Sequence, residues 1–197
     1  YSSAGVIISV GDGVAGFNKG DRVACAGAGY ANHAEIVQVP QNLVARIPEG
    51  VDTLYGSFTT IGAIAMQGVR QADARIGERV AVIGLGLVGQ LTCQLLRGAG
   101  CQVTGIDIDP QKVELAQSIG LMAGLSQIDS PQAIIDQLTD GIGYDSVIIA
   151  ASTRSSEPVA LAAELSRQRG RVVVVGDVKM ELQRKPFYEK ELTLLLS

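Results

Sequence analysis

Arg79-Val80-Ala81-Val82-Ile83-Gly84-Leu85-Gly86-Leu87-Val88-Gly89-Gln90-Leu91 is the stretch whose reading decides the fold. An apolar run rich in β-branched residues feeds Gly84-x-Gly86-x-x-Gly89. Leu87, Val88, Leu91, Leu95 and Leu96 then recur at spacings of three and four. That order reads as strand, tight turn, helix. Gly84 lets the backbone leave the strand sharply. Gly86 carries no side chain, so a pyrophosphate can approach the main chain. Gly89 lets the helix pack close on the sheet. The phosphates would sit on free N–H groups at the helix N-terminus, around Leu87 and Val88, where the dipole favours an anion.

The sequence beyond this stretch completes the unit. Gly100 is followed by a second apolar strand, Gln102-Val103-Thr104-Gly105-Ile106, which ends in Asp107 and Ile108. A carboxylate roughly 20 residues past the first glycine can accept both hydroxyls of an adenosine ribose, and it repels a 2′-phosphate. Strand, glycine turn, helix, strand and acid together predict dinucleotide binding, with NAD(H) as the cofactor. A βαβ unit that binds nothing would leave Asp107 to chance.

Composition sets the bounds. A chain of 197 residues suits one large domain, or one domain plus a fragment. Apolar residues make up 47% of it, enough for a buried core. A net charge of −4 offers no basic footprint, so nucleic acid is not an expected partner. No apolar run approaches the roughly 20 residues of a membrane helix, and there is no signal-peptide pattern. A cytoplasmic protein with a small-molecule substrate is expected. Cys25, Cys93 and Cys101 form no CxxC and read as small core residues in a reducing compartment. The chain opens on Tyr1 and closes on the apolar Leu192-Thr193-Leu194-Leu195-Leu196-Ser197, so a domain cut from a longer polypeptide is expected.

Residues 1–52 read as β-rich. Strands are predicted at Val6–Val10, Arg22–Cys25, Ala34–Val39 and Val44–Ile47, with turns at Gly11-Asp12-Gly13 and Gly20-Asp21. From Leu54 the period becomes helical through Phe58, Ile61, Ala65 and Val69, with Asp52 or Thr53 as cap. Residues 53–197 are expected to form the dinucleotide-binding domain. Asp109-Pro110 starts a helix that Gly120 stops, and Ser130-Pro131 starts another. Asp145–Ala150 is a predicted strand, and Pro158–Arg167 a helix with Gly170 as its stop. Arg171–Gly176 is a predicted strand buried on both faces. Glu191 to Leu196 is a predicted last strand, an edge suited to homodimer pairing. Strands alternating with helices give a doubly wound parallel sheet, an α/β fold. By the general rule for such sheets, the strand ends at Ala150-Ala151 and Gly176-Asp177-Val178 face the cofactor cleft.

The order of parts resembles the medium-chain dehydrogenase/reductase superfamily, the alcohol-dehydrogenase-like enzymes. Ala4-Gly5-Val6-Ile7 with Gly20-Asp21-Arg22-Val23, Tyr30-Ala31 with Ala34-Glu35 and Val39-Pro40, and Ile47-Pro48-Glu49-Gly50-Val51 carry the resemblance. So does the glycine fingerprint with Asp107 and Lys112. The resemblance implies that residues 1–52 are part of a GroES-like β-barrel preceding a Rossmann domain. It implies that Lys112 contacts the adenosine ribose. The tail Phe187-Tyr188-Glu189-Lys190-Glu191-Leu192 resembles, more weakly, bacterial fusion proteins in which a sugar-dehydrogenase-like module follows.

The departures from the family pattern bear on the chemistry. Zinc members hold their metal with a Cys, the His of a Gly-His-Glu motif, and a later Cys or acid. Aligned through Gly5, the His position falls on Tyr1 and the Glu position on Ser2, while the later ligand falls beside Thr59. Neither Tyr1 nor Thr59 is an ordinary zinc ligand. Ala26-Gly27-Ala28-Gly29-Tyr30 is a short bypass where a four-cysteine lobe would sit, and His33 is the sole histidine. No zinc is therefore expected. Thr59, Thr60 and Tyr1 are candidate hydroxyl donors to a developing alkoxide by location alone. The leading expectation is an NAD(H)-dependent, zinc-independent oxidoreductase acting on an alcohol, polyol or sugar carbon. The alternatives are a non-catalytic nucleotide-binding or scaffolding domain of a larger protein, and a quinone-oxidoreductase-like NADPH reductase.

Overall fold

The structure is a computed structural model that describes residues 1–121, 123–125 and 130–197. The chain divides into two compact units, Tyr1–Ala63 and Ile64–Ser197.

In the first unit, β1 (Ser2–Val6), β2 (Arg22–Ala26) and β3 (Val44–Arg46) form an antiparallel sheet in that order. Val23, Cys25 and Ala31 are its buried centre, with Ile7, Phe17, Val39 and Val44 packed around them. The strand predicted at Val6–Val10 lies earlier in the chain, at Ser2–Val6. Pairing extends only as far as Ile7, whose N–H donates to Asp21 O at 2.9 Å and whose carbonyl accepts from Gly20 N–H at 2.8 Å. The Lys19-Gly20 turn then draws the partner chain away. Ala34–Val39 is not a strand: no neighbour among the described residues offers it a ladder, and Ile36 is exposed.

The helix predicted from Leu54 is broken in two. α1 (Thr53–Gly56) is capped by Asp52, whose carboxylate accepts from Leu54 N–H at 2.7 Å, and α2 runs Thr59–Ala72. Side chains occupy the carbonyls at the break: Ser57 Oγ donates to Leu54 O and Thr59 Oγ1 to Gly56 O. Such local bonds compete with a continuous helix. α1 packs on the small sheet, where Gly56 fits against Ile47.

The second unit is a six-stranded parallel sheet. Its elements in chain order are β4 (Arg79–Ile83), α3 (Leu87–Gly98), β5 (Gln102–Ile106), α4 (Pro110–Ser118), β6 (Ala123–Leu125), α5 (Pro131–Thr139), β7 (Tyr144–Ile149), α6 (Glu157–Leu165), β8 (Ser166–Val174), α7 (Arg184–Glu189) and β9 (Thr193–Leu196). The spatial order is β6-β5-β4-β7-β8-β9. The chain thus starts in the middle, builds outward one way, then returns and builds outward the other way. That reversal defines a Rossmann sheet and puts a crevice at the carboxyl ends of β4 and β7.

Both faces of the sheet are covered. Along β4, Ala81 and Ile83 join one core with Ile134, Val147 and Val159, while Val80 and Val82 join another with Cys93, Leu96 and Val113. Alternate residues serve opposite faces, so the strand reads as continuously apolar. Asp109 caps α4 by accepting from Gln111 N–H at 3.0 Å, and Pro110 takes its first position.

The sheet unit also differs from the sequence reading in places. α6 ends at Leu165, where Ser166 Oγ turns back to Ala162 O at 2.7 Å. Gly170 is therefore not a helix stop. It lies inside β8, in an irregular lead-in where Arg169 adopts φ 58°. β6 and α7 have no counterpart in the sequence reading.

Candidate functional site

The site grows from the turn between β4 and α3. Gly84 sits at φ 94°, and its N–H donates to Ile106 O at 2.8 Å, tying the turn to β5. A Cβ at Gly84 would lie 2.5 Å from Ala151 N, and one at Gly89 would land on the Gly84 carbonyl. A Cβ at Gly86 would meet nothing within 4 Å. Two glycines thus let chain pass chain, and the middle one faces open space. Gly86 is also the N-cap of α3 and makes no side-chain capping bond. The first N–H groups of that helix are orphan donors, the arrangement that binds phosphate elsewhere.

Asp107 closes one side. Its carboxylate accepts from Leu85 N–H at 2.7 Å through Oδ2 and from Asp109 N–H at 2.9 Å through Oδ1. Lys112 Nζ stands 3.7 Å from Asp107 Oδ1 and 3.8 Å from Asp109 Oδ2. The Asp107 side chain is 7% exposed. A carboxylate has about four acceptor positions, so two main-chain bonds leave room for a further donor. Ile108 beside it is 92% exposed, an apolar surface next to the acid.

The other side is made by the ends of β7 and β8. Ala150 N–H donates to Ile83 O at 2.8 Å, and Gly176 N–H to Ile149 O at 2.9 Å. A Cβ at Gly176 would land on the Ala151 carbonyl, so β4, β7 and β8 converge on Ala150-Ala151. Beyond them, Thr153 N–H donates to Asp177 O at 2.9 Å. A shallow cleft of about 620 Å³ lies there, lined by Ser152, Thr153, Arg154, Asp177, Val178 and Lys179. Gly84, Gly89, Ala150, Ala151 and Gly176 therefore meet at one strand-end junction. The sequence reading did not include Ser152–Arg154 and Lys179, although their places after predicted strands were a usable signal. It also did not include Gln90, a buried polar residue in the first turn of α3.

The candidate catalytic hydroxyls lie in the first unit. Thr59 Oγ1 donates to Gly56 O at 2.7 Å and Thr60 Oγ1 to Cys25 O at 3.3 Å. Ser2 Oγ donates to Ser57 O at 2.6 Å, and Tyr1 is exposed. Both threonine protons are thus held by main-chain carbonyls. Among the described residues no cluster of three or more His, Cys, Asp or Glu is arranged to hold a metal. The three thiols are free and buried, and burial pushes Cys93 up to about 12, so none is a poised nucleophile.

A Rossmann sheet of this order, with an uncapped glycine turn at the crevice and an acid after the second strand, is the general arrangement of dinucleotide-binding folds. Residues 88–197 match the zinc-binding dehydrogenase family, and the chain belongs to that family. Quinone oxidoreductase of Rattus norvegicus is 32% identical over 180 residues, covering 88% of this chain and 53% of the relative. Alcohol dehydrogenase of Geobacillus stearothermophilus is 26% identical, covering 89% and 59%. Among solved structures, alcohol dehydrogenase TADH from Thermus sp. ATN1 superposes with a TM-score of 0.85 at 25% identity, covering 98% of this chain and 66% of that one. A Sinorhizobium meliloti 1021 protein described as a zinc-binding dehydrogenase, bound to NADP, superposes with a TM-score of 0.83 at 25% identity, covering 98% and 66%. The chain spans between half and two thirds of the length of these proteins. No helix among the described residues is long and apolar enough to cross a membrane.

Proposed function

We propose that the protein is an NAD(H)-dependent, zinc-independent dehydrogenase or reductase acting on an alcohol, polyol or sugar carbon. Residues 1–52 would belong to the barrel that carries the substrate site, and 53–197 to the nucleotide domain. The observation that carries the cofactor reading is the Asp107 carboxylate, 2.7 Å from the Leu85 N–H of the glycine turn. An ionised acid there favours a ribose with free hydroxyls over one bearing a 2′-phosphate. Gly84, Gly86, Leu87, Val88 and Gly89 would cradle the pyrophosphate. Asp107, Ile108 and Lys112 would take the adenosine half, and Ala150, Ala151, Gly176 and Asp177 would line the rest of the cleft. The nicotinamide, when bound, supplies the hydride chemistry. The chain's own contribution is to position that ring and to stabilise charge on the substrate oxygen. Thr59, Thr60 and Tyr1 are the proposed hydroxyls for that task. Each threonine would have to release a main-chain carbonyl to donate its proton. Glu191 to Leu196, which ends in the edge strand β9 (Thr193–Leu196), is the proposed homodimer seam.

Titration of NADH and NADPH fluorescence tests this reading. NADH should bind roughly tenfold or more tightly, and Asp107→Ser should narrow the gap. Equal affinities, or a preference for NADPH, would remove the role given to Asp107. Prolonged dialysis against a chelator should leave turnover of an alcohol or carbonyl panel unchanged.

A second reading, an NADPH-dependent quinone reductase, draws on the 32% identity to the rat quinone oxidoreductase. It predicts the opposite cofactor preference, together with turnover of quinones.

A further inference from the structure

Gln90 lies in the first turn of α3 and is 7% exposed. Its Nε2 donates to Leu85 O at 3.2 Å and to Lys112 O at 3.0 Å. The orientation of the amide follows from this pair: reversed, Oε1 would face two carbonyl oxygens. As placed, Oε1 is buried with no hydrogen-bond partner among the described residues.

Asp107 makes the complementary pair of bonds. It takes the N–H of Leu85 and the N–H of Asp109, where Gln90 takes the C=O of Leu85 and the C=O of Lys112. Both polar groups of the single residue between Gly84 and Gly86 are therefore held by side chains. Each of those side chains also reaches the start of α4, at its cap or in its first turn. The glycine turn and the Asp109–Lys112 segment are braced together twice. A helix needs no such residue: an apolar side chain of similar length would fill the same space without burying an unpaired acceptor.

We propose that Gln90 is a positioning residue for nucleotide binding. With Asp107 it holds the glycine turn and the adenosine-side helix in register before any cofactor arrives. This rests on the proposal that a dinucleotide occupies the turn, and it extends that proposal to a residue that need not touch the nucleotide. The brace would spare the ligand the cost of ordering the turn, which is how a preorganised site gains affinity.

The test uses Gln90→Met, which keeps length and apolar fit but has no donor, with ADP-ribose and NADH as ligands. Three quantities are measured: affinity by calorimetry, thermal midpoint by scanning calorimetry, and amide hydrogen exchange without ligand. Two lost hydrogen bonds predict about a tenfold loss of ADP-ribose affinity. Exchange at Leu85 and Asp109 should accelerate about tenfold, while Val82 and Val147 in the sheet should not change. The midpoint should stay close to that of wild type, because the acceptor left unpaired at Leu85 O offsets the unpaired Oε1 that is removed. That split, weaker binding with undiminished stability, separates positioning from a structural role, in which the two fall together.

Wild-type affinity in Gln90→Met, or affinity and midpoint lost in parallel, would overturn the inference. Should Gln90→Met not fold, Gln90→Leu removes the amide donors with an apolar side chain of similar bulk, and the same split is required of it. If wild-type protein binds neither ADP-ribose nor NADH, the dinucleotide reading itself fails, an outcome distinct from the first two.

Discussion

The two units of this chain hold themselves together differently. Ile64–Ser197 has two apolar cores, one on each face of its sheet, and its strands alternate between them. Tyr1–Ala63 has one small buried centre, Val23, Cys25 and Ala31, so the side chains that reach across to main-chain carbonyls weigh more in it than similar bonds do in the sheet unit. Arg22 donates to Val51 O at 2.7 Å, Gln41 to Ala15 O at 2.6 Å, and Arg46 to Gly16 O at 2.6 Å. The contrast reaches the site residues. In the sheet unit, polar groups near the turn are left free or are bonded to one another. In the small unit, hydroxyls that could serve chemistry are already bonded to carbonyls.

Glycine substitutions at the turn test the sheet side most severely. Gly89→Ala puts a methyl on the Gly84 carbonyl, where backbone meets backbone and cannot yield. A loss of roughly 3 kcal/mol in stability is expected, with nucleotide binding abolished. Gly86→Ala is the control. Its methyl meets nothing within 4 Å, and Gly86 already sits at φ −68°. Stability should stay within about 1 kcal/mol of wild type, yet NADH affinity should fall if the proposed pyrophosphate site is right, because the methyl would stand in its path. Urea denaturation and fluorescence titration read the two effects. Equal behaviour of the two variants in both assays would erase the distinction between packing glycine and ligand glycine.

What the sequence made legible follows the same division. Where a strand is buried on both faces and a helix has a cap and a stop, local pattern and tertiary need agree. Arg79–Ile83, Gln102–Ile106 and the Asp109-capped helix were therefore readable. Asp107 was readable because the fingerprint fixes an acid at a distance. Ala34–Val39 carries a strand-like pattern, but a strand exists only by pairing, and sequence pattern does not report the partner. The break at Ser57 depends on two hydroxyls bonding backward, which spacing alone does not show. The proposed role of Gln90 has no signal in the sequence. Its significance lies in two carbonyls, at Leu85 and Lys112, that only the turn's geometry brings to one side chain.

Alkaline pH sharpens the comparison through the sheet unit's core. Cys93 is fully buried in α3, and its thiol is pushed from 9.0 up to about 12. Below pH 9 the thiol is protonated in both folded and unfolded chains, and stability is unaffected. Above it the unfolded chain ionises and the folded one does not, so stability falls between about pH 9 and 12. The slope is about 1.4 kcal/mol per pH unit. Burial also raises Cys25, Cys101 and Tyr144, while Lys190 is lowered, so Cys93 is isolated by difference. Between pH 8 and 10.5 wild type should lose about 2 kcal/mol more than Cys93→Ala, measured by urea midpoints. Parallel losses would mean that the α3 core opens to water.

The smallest effect is expected on the side of the small unit. Arg46 pairs with Asp21 at 2.8 Å and lies 5.7 Å over the Phe17 ring, while Asp21 also accepts from Asn18 N–H at 2.8 Å. The Arg46 side chain is half exposed, so water and salt screen the pair, and Arg46→Ala should cost no more than about 1 kcal/mol. The loss should be local. Amide exchange should quicken from Asn18 to Asp21 and stay unchanged at Val23 and Cys25, because the apolar contacts of β2 do not depend on the guanidinium. A loss of several kcal/mol, or loosening of Val23, would show that surface ties act as this unit's core. The contrast between the two units would then lie in the kind of interaction rather than in its amount.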